Sequence, residues 1–300
     1  MKILISGSSG LIGSALAPAL RVRGDEVLAL VRRASETPAE VQWHERGSID
    51  LRALIDVDAV VHLAGRNVGT RWTSRVKREI YESRVNGTRV VAETVAESFR
   101  RTGKPDVFIS ASAIGYYGNR GEEVLTEDSP SGGGFLAEVV RRWEDATLPA
   151  REAGVRVFTP RIGMVLSRNG GALKKMLLPF RMGLGGKIGS GEQWISWITT
   201  TDLVRLLLRA LDDQVLSGIY NAVTPQPVRN RHFVHALGET LRRPTWVPLP
   251  SLAVKAMFGR MGVETILAST RVIPMKLQNI DYRFEYPELD IAMEREVGSE

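Results

Sequence analysis

The chain has 300 residues, 43% of them hydrophobic, which is enough for a large core or for one domain with a smaller lobe attached. It has no cysteine, so disulfides and thiolate metal sites are excluded. The formal net charge is +6, but acidic residues are interspersed with the basic ones and no block of five or six like charges occurs, so nucleic-acid binding is not expected.

The chain begins MKILISG, with no charged segment leading into a longer apolar run. No apolar run approaches the ~20 residues that a membrane-spanning helix needs. These features predict no signal peptide, no membrane association and a cytoplasmic location.

The passage KILISGSSGLIGSALAPAL is the most specific in the chain. Residues 2–6 predict a buried parallel strand, and the pattern becomes helical after Gly13. The glycines have the spacing G-x-x-G-x-x-G: the first permits a tight turn, the second lets a pyrophosphate approach the backbone, and the third lets the helix pack against the strand. The helix N-terminus offers N–H groups and partial positive charge to phosphates. Cofactor contacts are therefore predicted from Gly7, Ser8, Ser9, Gly10, Leu11, Ile12 and Gly13.

A second strand is predicted at residues 26–31. An NAD enzyme places Asp or Glu near its end to hold the ribose hydroxyls, about 20 residues after the glycines. This chain has Arg32 and Arg33 there. A guanidinium binds a 2′-phosphate that a carboxylate would repel, so we predict NADP(H) as the cofactor. Arg-Arg pairs also occur elsewhere in the chain, so the missing acid is the better indication.

The alternation of strands and helices continues along the chain. Strands are predicted at 59–65, 107–113 and 155–166, and helices at 73–101 and 135–153. This order predicts an α/β fold of the Rossmann type, with a doubly wound parallel sheet. The first of these strands ends in Leu63, Ala64 and Gly65, small enough for a cofactor to lie against them.

A smaller C-terminal substrate lobe is also predicted. We assign residues 1–167 to an NADP-binding Rossmann domain, to which 195–225 return, and residues 168–194 and 226–300 to the lobe. Its apolar helix 251–258 would cover the substrate cleft. Asp202 is predicted to cap the helix that follows it. His232 and His235 have no third ligand in view, so no metal site is predicted.

With the glycine motif, HLAG, FISASA and TPRIG in order, nearly the whole chain resembles the extended short-chain dehydrogenase/reductase superfamily. Passages such as RWTSRVKREIYESR, SASAIGYYG and FLAEVVRRWEDA are similar to a narrower group, often labelled nucleoside-diphosphate-sugar epimerase and sometimes cell-division inhibitor of the SulA name. The resemblance implies an NADP-binding Rossmann domain with a small C-terminal lobe, and a substrate-orienting serine at Ser112. Ser110, on the same side of that strand, and Arg161 in TPRIG complete the expected cofactor contacts.

The superfamily's chemistry also needs a tyrosine with a lysine four residues later, which lowers the pKa of the tyrosine. Here those positions are Phe135 and Val139, and none of the six tyrosines has a lysine at that spacing. Tyr116 and Tyr117, in a glycine-bounded loop after Ser112, are candidate acids, although both could simply pack or close the pocket.

Three hypotheses remain. Another residue does the proton transfer, or water or the substrate does it, or the protein binds NADP without chemistry as a sensor or scaffold. We favour an oxidoreductase or epimerase acting on a small or nucleotide-linked molecule. A small-molecule substrate is the expected partner, a homodimer is one option for the assembly, and RNA binding on a Rossmann scaffold is a weaker third hypothesis.

Overall fold

The computed structural model describes residues 1–43 and 48–298. The strands are β1 Lys2–Ser6, β2 Glu26–Val31, β3 Glu40–Gln42, β4 Ala59–His62, β5 Val107–Ser110, β6 Ser112–Ala113, β7 Val124–Leu125, β8 Arg156–Ile162, β9 Met164–Leu166, β10 Trp194–Ile195, β11 Trp197–Thr199, β12 Gly218–Ala222, β13 Val228–Arg229 and β14 Arg271–Val272. The α-helices are α1 Gly13–Arg23, α2 Ser74–Tyr81, α3 Gly87–Thr102, α4 Phe135–Asp145, α5 Leu148–Glu152, α6 Gly171–Arg181, α7 Thr200–Asp212, α8 Asn230–Leu241, α9 Ser251–Phe258, α10 Met275–Asn279 and α11 Leu289–Val297. A π-helical turn, Glu82–Asn86, joins α2 to α3.

The main sheet has the strand order β12-β8-β5-β4-β1-β2-β3, and the short β6 also pairs with β8. Its pairings are parallel. The order reverses at β1, because the chain moves outward to β2 and β3 on one side and then returns to β4 on the other. Ligands of such sheets bind beyond the carboxyl ends of the strands at this switch point. The predicted α/β Rossmann-type sheet is confirmed.

Both faces of the sheet are covered, which explains why its strands are apolar runs instead of alternating patterns. One face packs against α1 and α7 around Ile5, Val61 and Ile109. The other packs against α3 around Leu4, Val60 and Phe108. Since neighbouring residues in a strand point to opposite faces, the residues that end β1, β4 and β5 share the α3 face.

A third apolar cluster lies outside the sheet and joins α6, α8 and α11. Most of its residues lie in the segments assigned above to a C-terminal lobe, but Leu166 and Trp197 lie in those assigned to the Rossmann domain, and the division into domains stays a prediction. Leu277 of α10, however, belongs to the cluster on the α1 and α7 face of the main sheet. Among the described residues, no helix is both long enough and apolar enough to cross a membrane.

The start of α7 corrects one prediction. Thr199, not Asp202, is the N-cap: its hydroxyl accepts a hydrogen bond from the backbone N–H of Asp202 at 3.0 Å. The Asp202 carboxylate is fully buried and accepts from the N–H groups of Glu285 and Tyr286 at 2.6 and 3.0 Å. It therefore fastens the segment before α11 to the first turn of α7. His232 and His235 are exposed on α8, and the described residues contain no group of side chains that could hold a metal ion.

Candidate functional site

The loops after β1 and β4 are joined at the switch point by the Ser6 hydroxyl. It accepts hydrogen bonds from the N–H groups of Leu63 and Ala64, at 3.1 and 3.2 Å. It also lies 2.6 Å from Nδ1 of His62. Because its lone pairs face two donors, we assign the hydroxyl hydrogen to His62 Nδ1. The buried Ser6 side chain thus fixes the position of the loop after β4 (the β4 loop) relative to the glycine-rich loop after β1 (the glycine loop).

His62 is fully buried, and burial alone lowers its pKa from 6.5 to about 4. The imidazole is therefore neutral at pH 7. With Nδ1 accepting from Ser6, the ring hydrogen is on Nε2, which has no hydrogen-bond partner among the described residues. The neighbouring Ser110 hydroxyl is likewise buried and unpartnered in the described part of the chain. It faces the α3 side of the sheet, and its predicted contact with the cofactor stays a prediction.

The glycine loop is built as its spacing predicts. Gly7 has φ +71°, and a Cβ there would lie 2.9 Å from backbone atoms of the β4 loop. A Cβ on Gly13 would lie 2.2 Å from the Gly7 carbonyl oxygen, so only glycine lets α1 begin this close to the turn. A Cβ on Gly10 would meet the Gly7 oxygen at 3.2 Å and otherwise project outward. The loop is therefore a cradle whose open side is at Gly10.

The start of α1 suits an anion. Ile12 is its N-cap and supplies no side-chain hydrogen bond, and Ser9 and Gly10 are exposed while Ser8, Leu11 and Ile12 are half-buried. Backbone N–H groups and the helix dipole at such an N-terminus favour a phosphate. The residues present thus fit the pyrophosphate of a dinucleotide.

The two arginines after β2 have different environments. Arg33 donates to Glu40 at 2.5 and 3.0 Å and pairs with Glu36 at 3.2 Å. Hydrogen bonding to Glu40 raises the pKa of Arg33. Arg32 is exposed and has no hydrogen bond or ion pair with any described residue. Of the two predicted contacts, Arg32 is the guanidinium available to a ligand.

Gly65, at the end of the β4 loop, lies against Arg84. A Cβ on Gly65 would be 3.3 Å from the guanidinium carbon. Arg84 donates to the carbonyl of Arg66 at 2.8 Å and stacks over the Trp143 ring at 5.2 Å. Burial lowers the pKa of Arg84 to about 10, and no described carboxylate pairs with it. A cation half-buried in this way stands directly beside the predicted cofactor contacts.

The predicted catalytic Ser112 is hydrogen-bonded to another side chain. It is 3% exposed and donates a 2.6 Å hydrogen bond to the carboxylate of Glu144 on α4. That carboxylate also accepts from Arg161, at 2.7 and 2.8 Å. Arg161 is 2% exposed, and its pKa is raised well above the ordinary value by Glu144, against the effect of burial. Both Ser112 and Arg161 are thus bound to Glu144 inside the protein, and their predicted roles toward a ligand stay predictions.

Tyr117 belongs to the same buried network. Its hydroxyl accepts from Arg161 at 2.9 Å and lies 2.7 Å from the side-chain oxygen of Asn221. The ring is fully buried, and burial raises the pKa of Tyr117 to about 12. Its observed surroundings are those of a packing residue instead of the candidate acid. Tyr116 is half-buried, with the Arg161 guanidinium 3.4 Å from its ring centre.

The side chains that replace the tyrosine and lysine lie on the face of α4 that meets α2 and the π-helical turn. Val139 is 1% exposed. Phe135 is half-buried, with the edge of Trp72 against it at 5.2 Å and the Lys77 ammonium 5.2 Å from its ring centre. Two cations thus face α4, Lys77 at its first turn and Arg84 at Trp143. Lys77 and Arg84 are seven residues apart, which places them on about the same face of a helix, but this spacing cannot show that the face is covered.

Glu264 of the C-terminal lobe completes the start of α4. Its carboxylate accepts a 3.0 Å hydrogen bond from the backbone N–H of Leu136 and pairs with Arg260 at 2.6 Å. A carboxylate at a helix N-terminus also interacts favourably with the dipole. The sequence analysis missed Glu144, Asn221 and Glu264, because each acts through a partner that is distant in the chain and no local pattern marks such a pairing.

Comparisons with known proteins bear on this geometry. Residues 3–222 match the model of the NAD dependent epimerase/dehydratase family. The chain belongs to this family. Residues 249–296 match a domain of unknown function, DUF1731. The predicted resemblance to extended short-chain dehydrogenases is therefore confirmed at the level of the family.

Relatives of this epimerase-family chain are similar over nearly its whole length. An epimerase family protein of Mycobacterium leprae is 44% identical, over 97% of this chain and 94% of its own. The crystal structure of human epimerase family protein SDR39U1 with NADPH has 34% identity and a TM-score of 0.90, covering 99% of both chains. A nucleoside-diphosphate sugar epimerase from Corynebacterium glutamicum has 38% identity and a TM-score of 0.82, covering 99% of this chain but 58% of that longer one.

Proposed function

We propose that this epimerase-family protein binds NADP(H) and acts as an oxidoreductase or epimerase on a small or nucleotide-linked molecule. The human relative whose structure contains NADPH supports the choice of cofactor. The glycine cradle, with its open side at Gly10, supports the placement of the pyrophosphate. A nicotinamide dinucleotide supplies hydride transfer when bound, and the chain's own residues bind it, orient it and move protons. We keep the cytoplasm as the proposed location.

The observation that carries the proposal is the contrast between Arg32 and Arg33. Two glutamates hold Arg33 at the edge of the sheet. Arg32 follows β2 directly, where the ribose of a dinucleotide lies, and keeps its five N–H donors for a ligand. A guanidinium fork matches a phosphate with two parallel hydrogen bonds. The structure thus separates the two arginines, which the sequence left equivalent.

Calorimetric titration with NADPH and NADH tests the proposal. The wild-type protein should bind NADPH more tightly than NADH. Arg32→Ala should weaken NADPH binding by about 10- to 100-fold, the value of a lost charge-assisted interaction, and leave NADH binding unchanged. Arg33→Ala is the matched control, because its guanidinium is already paired, and it should keep most of the NADPH preference. Equal binding of the two cofactors, or equal effects of the two variants, would contradict the NADP assignment.

The geometry also favours a second candidate, an NADP-binding sensor or scaffold without catalysis. Ser112 donates to Glu144, Tyr117 is enclosed, and Phe135 carries no exchangeable proton. This alternative expects NADPH to bind without being consumed in the presence of a broad panel of aldehydes and ketones. Steady NADPH oxidation with any member of the panel, absent in a variant that cannot bind NADPH, would exclude it.

A further inference from the structure

A lysine faces α4 at the position where that helix lacks its proton donor. Lys77 is half-buried on α2, and its ammonium is 5.2 Å from the centre of the Phe135 ring. An ammonium over an aromatic face is held by the electrostatic field of the ring. The position usually occupied by a phenol is thus covered by a cation from a neighbouring helix.

The surroundings of Lys77 keep its charge unpaired. Glu79, the nearest acidic residue along α2, forms ion pairs with Arg75 at 2.9 Å and with Arg66 at 3.2 Å. Among residues 1–43 and 48–298, no carboxylate or carbonyl binds the Lys77 side chain. A half-buried cation without a counter-charge is costly unless a ligand supplies one.

The platform beneath the ammonium is fixed from two sides. The rings of Trp72 and Phe135 are in a T-shaped arrangement with their centres 5.2 Å apart, and the ring nitrogen of Trp72 donates to the carbonyl of Val68 at 2.9 Å. The first turn of α2 is capped by the Thr73 hydroxyl, which accepts from the N–H of Val76 at 3.2 Å. The amine is therefore carried by a capped helix over a ring that is packed on a second side, which restricts the amine to a position over the ring.

We propose that Lys77 is the proton donor of this site. The inference depends on the proposed function, because it takes the face of Phe135 as the wall of the nicotinamide pocket. In the reduction of a carbonyl compound, a hydride from the reduced nicotinamide forms the new C–H bond. The electron pair of the C=O π bond moves to oxygen, and that oxygen takes a proton from the Lys77 ammonium. Water then returns the proton to the neutral amine.

The test uses sulfite, which adds to C4 of an oxidised nicotinamide and can be followed by the absorbance of the adduct. The sulfur lone pair forms the bond to C4, and the ring takes up the electron pair, so no other reactant is needed. The adduct places a sulfonate where a substrate oxygen would be. NADP⁺ binding is measured first by calorimetry, and the adduct is then titrated in the wild-type protein, Lys77→Met and Lys77→Arg.

The wild-type protein should form the adduct. Lys77→Met should weaken it about 10-fold or more, the effect of losing a charge-assisted hydrogen bond, while NADP⁺ affinity stays unchanged. Lys77→Arg should restore part of the loss, because it keeps the charge. Lys2→Met is the control: Lys2 lies at the amino end of β1, the end opposite to the glycine loop, with Glu26 at 3.5 Å, and the variant should behave as wild type. Lys77→Gln provides a second variant should Lys77→Met unfold.

Each failure has its own meaning. Absence of NADP⁺ binding in the wild type would overturn the proposed function and this inference with it. Binding of NADP⁺ without an adduct, or with an adduct equally stable in Lys77→Met, would overturn the role of Lys77 alone and leave the cofactor assignment intact.

Discussion

Both carboxylate oxygens of Glu144 accept hydrogen bonds from the Arg161 guanidinium, at 2.7 and 2.8 Å, and neither residue is more than 6% exposed. The pair joins α4 to β8, and through Ser112 and Tyr117 it reaches β6 and the turn after it. The strand that carries Ser112 and the helix that carries Phe135 are thus held by one buried ion pair.

Removing half of this pair should be costly. Glu144→Gln leaves the Arg161 charge buried without a counter-ion, and we expect a loss of about 3–5 kcal/mol in the free energy of unfolding, measured by urea denaturation. Glu285→Gln breaks a pair with Arg205 that is nearly half exposed, so it should change stability by less than about 1 kcal/mol. Similar values for both variants would show that the buried pair of Glu144 and Arg161 contributes no more than a surface contact.

The glycine loop offers a test that separates folding from binding. Gly13→Ala puts a methyl group 2.2 Å from the Gly7 oxygen, so it should lower both the melting temperature and NADPH affinity. In Gly10→Ala the new methyl group lies 3.2 Å from the Gly7 oxygen, which a small shift can accommodate, so the variant should fold normally. It should lose NADPH affinity, because the methyl group occupies the open side of the cradle. Thermal unfolding with and without NADPH measures both effects. Unchanged affinity in folded Gly10→Ala would mean that the pyrophosphate does not approach this residue.

The adjacent tyrosines should respond differently to loss of the hydroxyl. Tyr117→Phe removes the partner of Arg161 and of Asn221, and we expect a loss of about 1–3 kcal/mol of stability. The Tyr116 hydroxyl has no hydrogen bond within the described chain, so Tyr116→Phe should stay within about 0.5 kcal/mol of wild type. Chemical denaturation of the two variants measures both losses. A larger loss of stability in Tyr116→Phe than in Tyr117→Phe would refute the structural role of the Tyr117 hydroxyl.

Stability should depend on pH through His62. Its folded pKa of about 4 lies below the unfolded value of 6.5, so the unfolded chain binds more protons between these pH values. The stabilisation is complete above pH 6.5 and is lost as pH falls toward 4, by about 3 kcal/mol in total. Urea unfolding of wild type and His62→Gln across this range should show a clearly steeper slope in wild type, because the carboxyl groups that also titrate near pH 4 are shared by both proteins. The exposed His232 provides the control, since His232→Gln should keep the slope.

Much of the fold could be predicted because its determinants are local. The spacing of Gly7, Gly10 and Gly13 is itself the geometry of the turn, and the buried strands are continuous apolar runs. Pairings between distant segments could not be predicted in this way. Asp202 looked like a helix cap because only its neighbours were visible, whereas its carboxylate binds a segment more than 80 residues away.

The candidate site shows the same division. The absence of the tyrosine and lysine can be read directly from the sequence, and so can the absence of an acidic residue after β2. The assignments of Ser112 and Arg161 depended on which way their side chains point. Both side chains bind Glu144, which lies on α4 and is distant in the sequence from Ser112. Arg32 and Arg33 differ only because Glu36 and Glu40 fold back onto one of them. Lys77 gains its significance from Phe135, which lies on a separate helix.

The hydrogen bond from the Leu136 N–H to Glu264 has a consequence for motion. It spans 128 residues and ties the first turn of α4 to the C-terminal lobe. Any displacement that moves Glu264 away from α4 must release this bond and leave the N–H of Leu136 without its partner. Opening therefore carries a free-energy penalty at the helix that bears Phe135, and a molecule that closes the lobe recovers it. Ligand occupancy and the order of this helix turn are thus linked, and each stabilises the other.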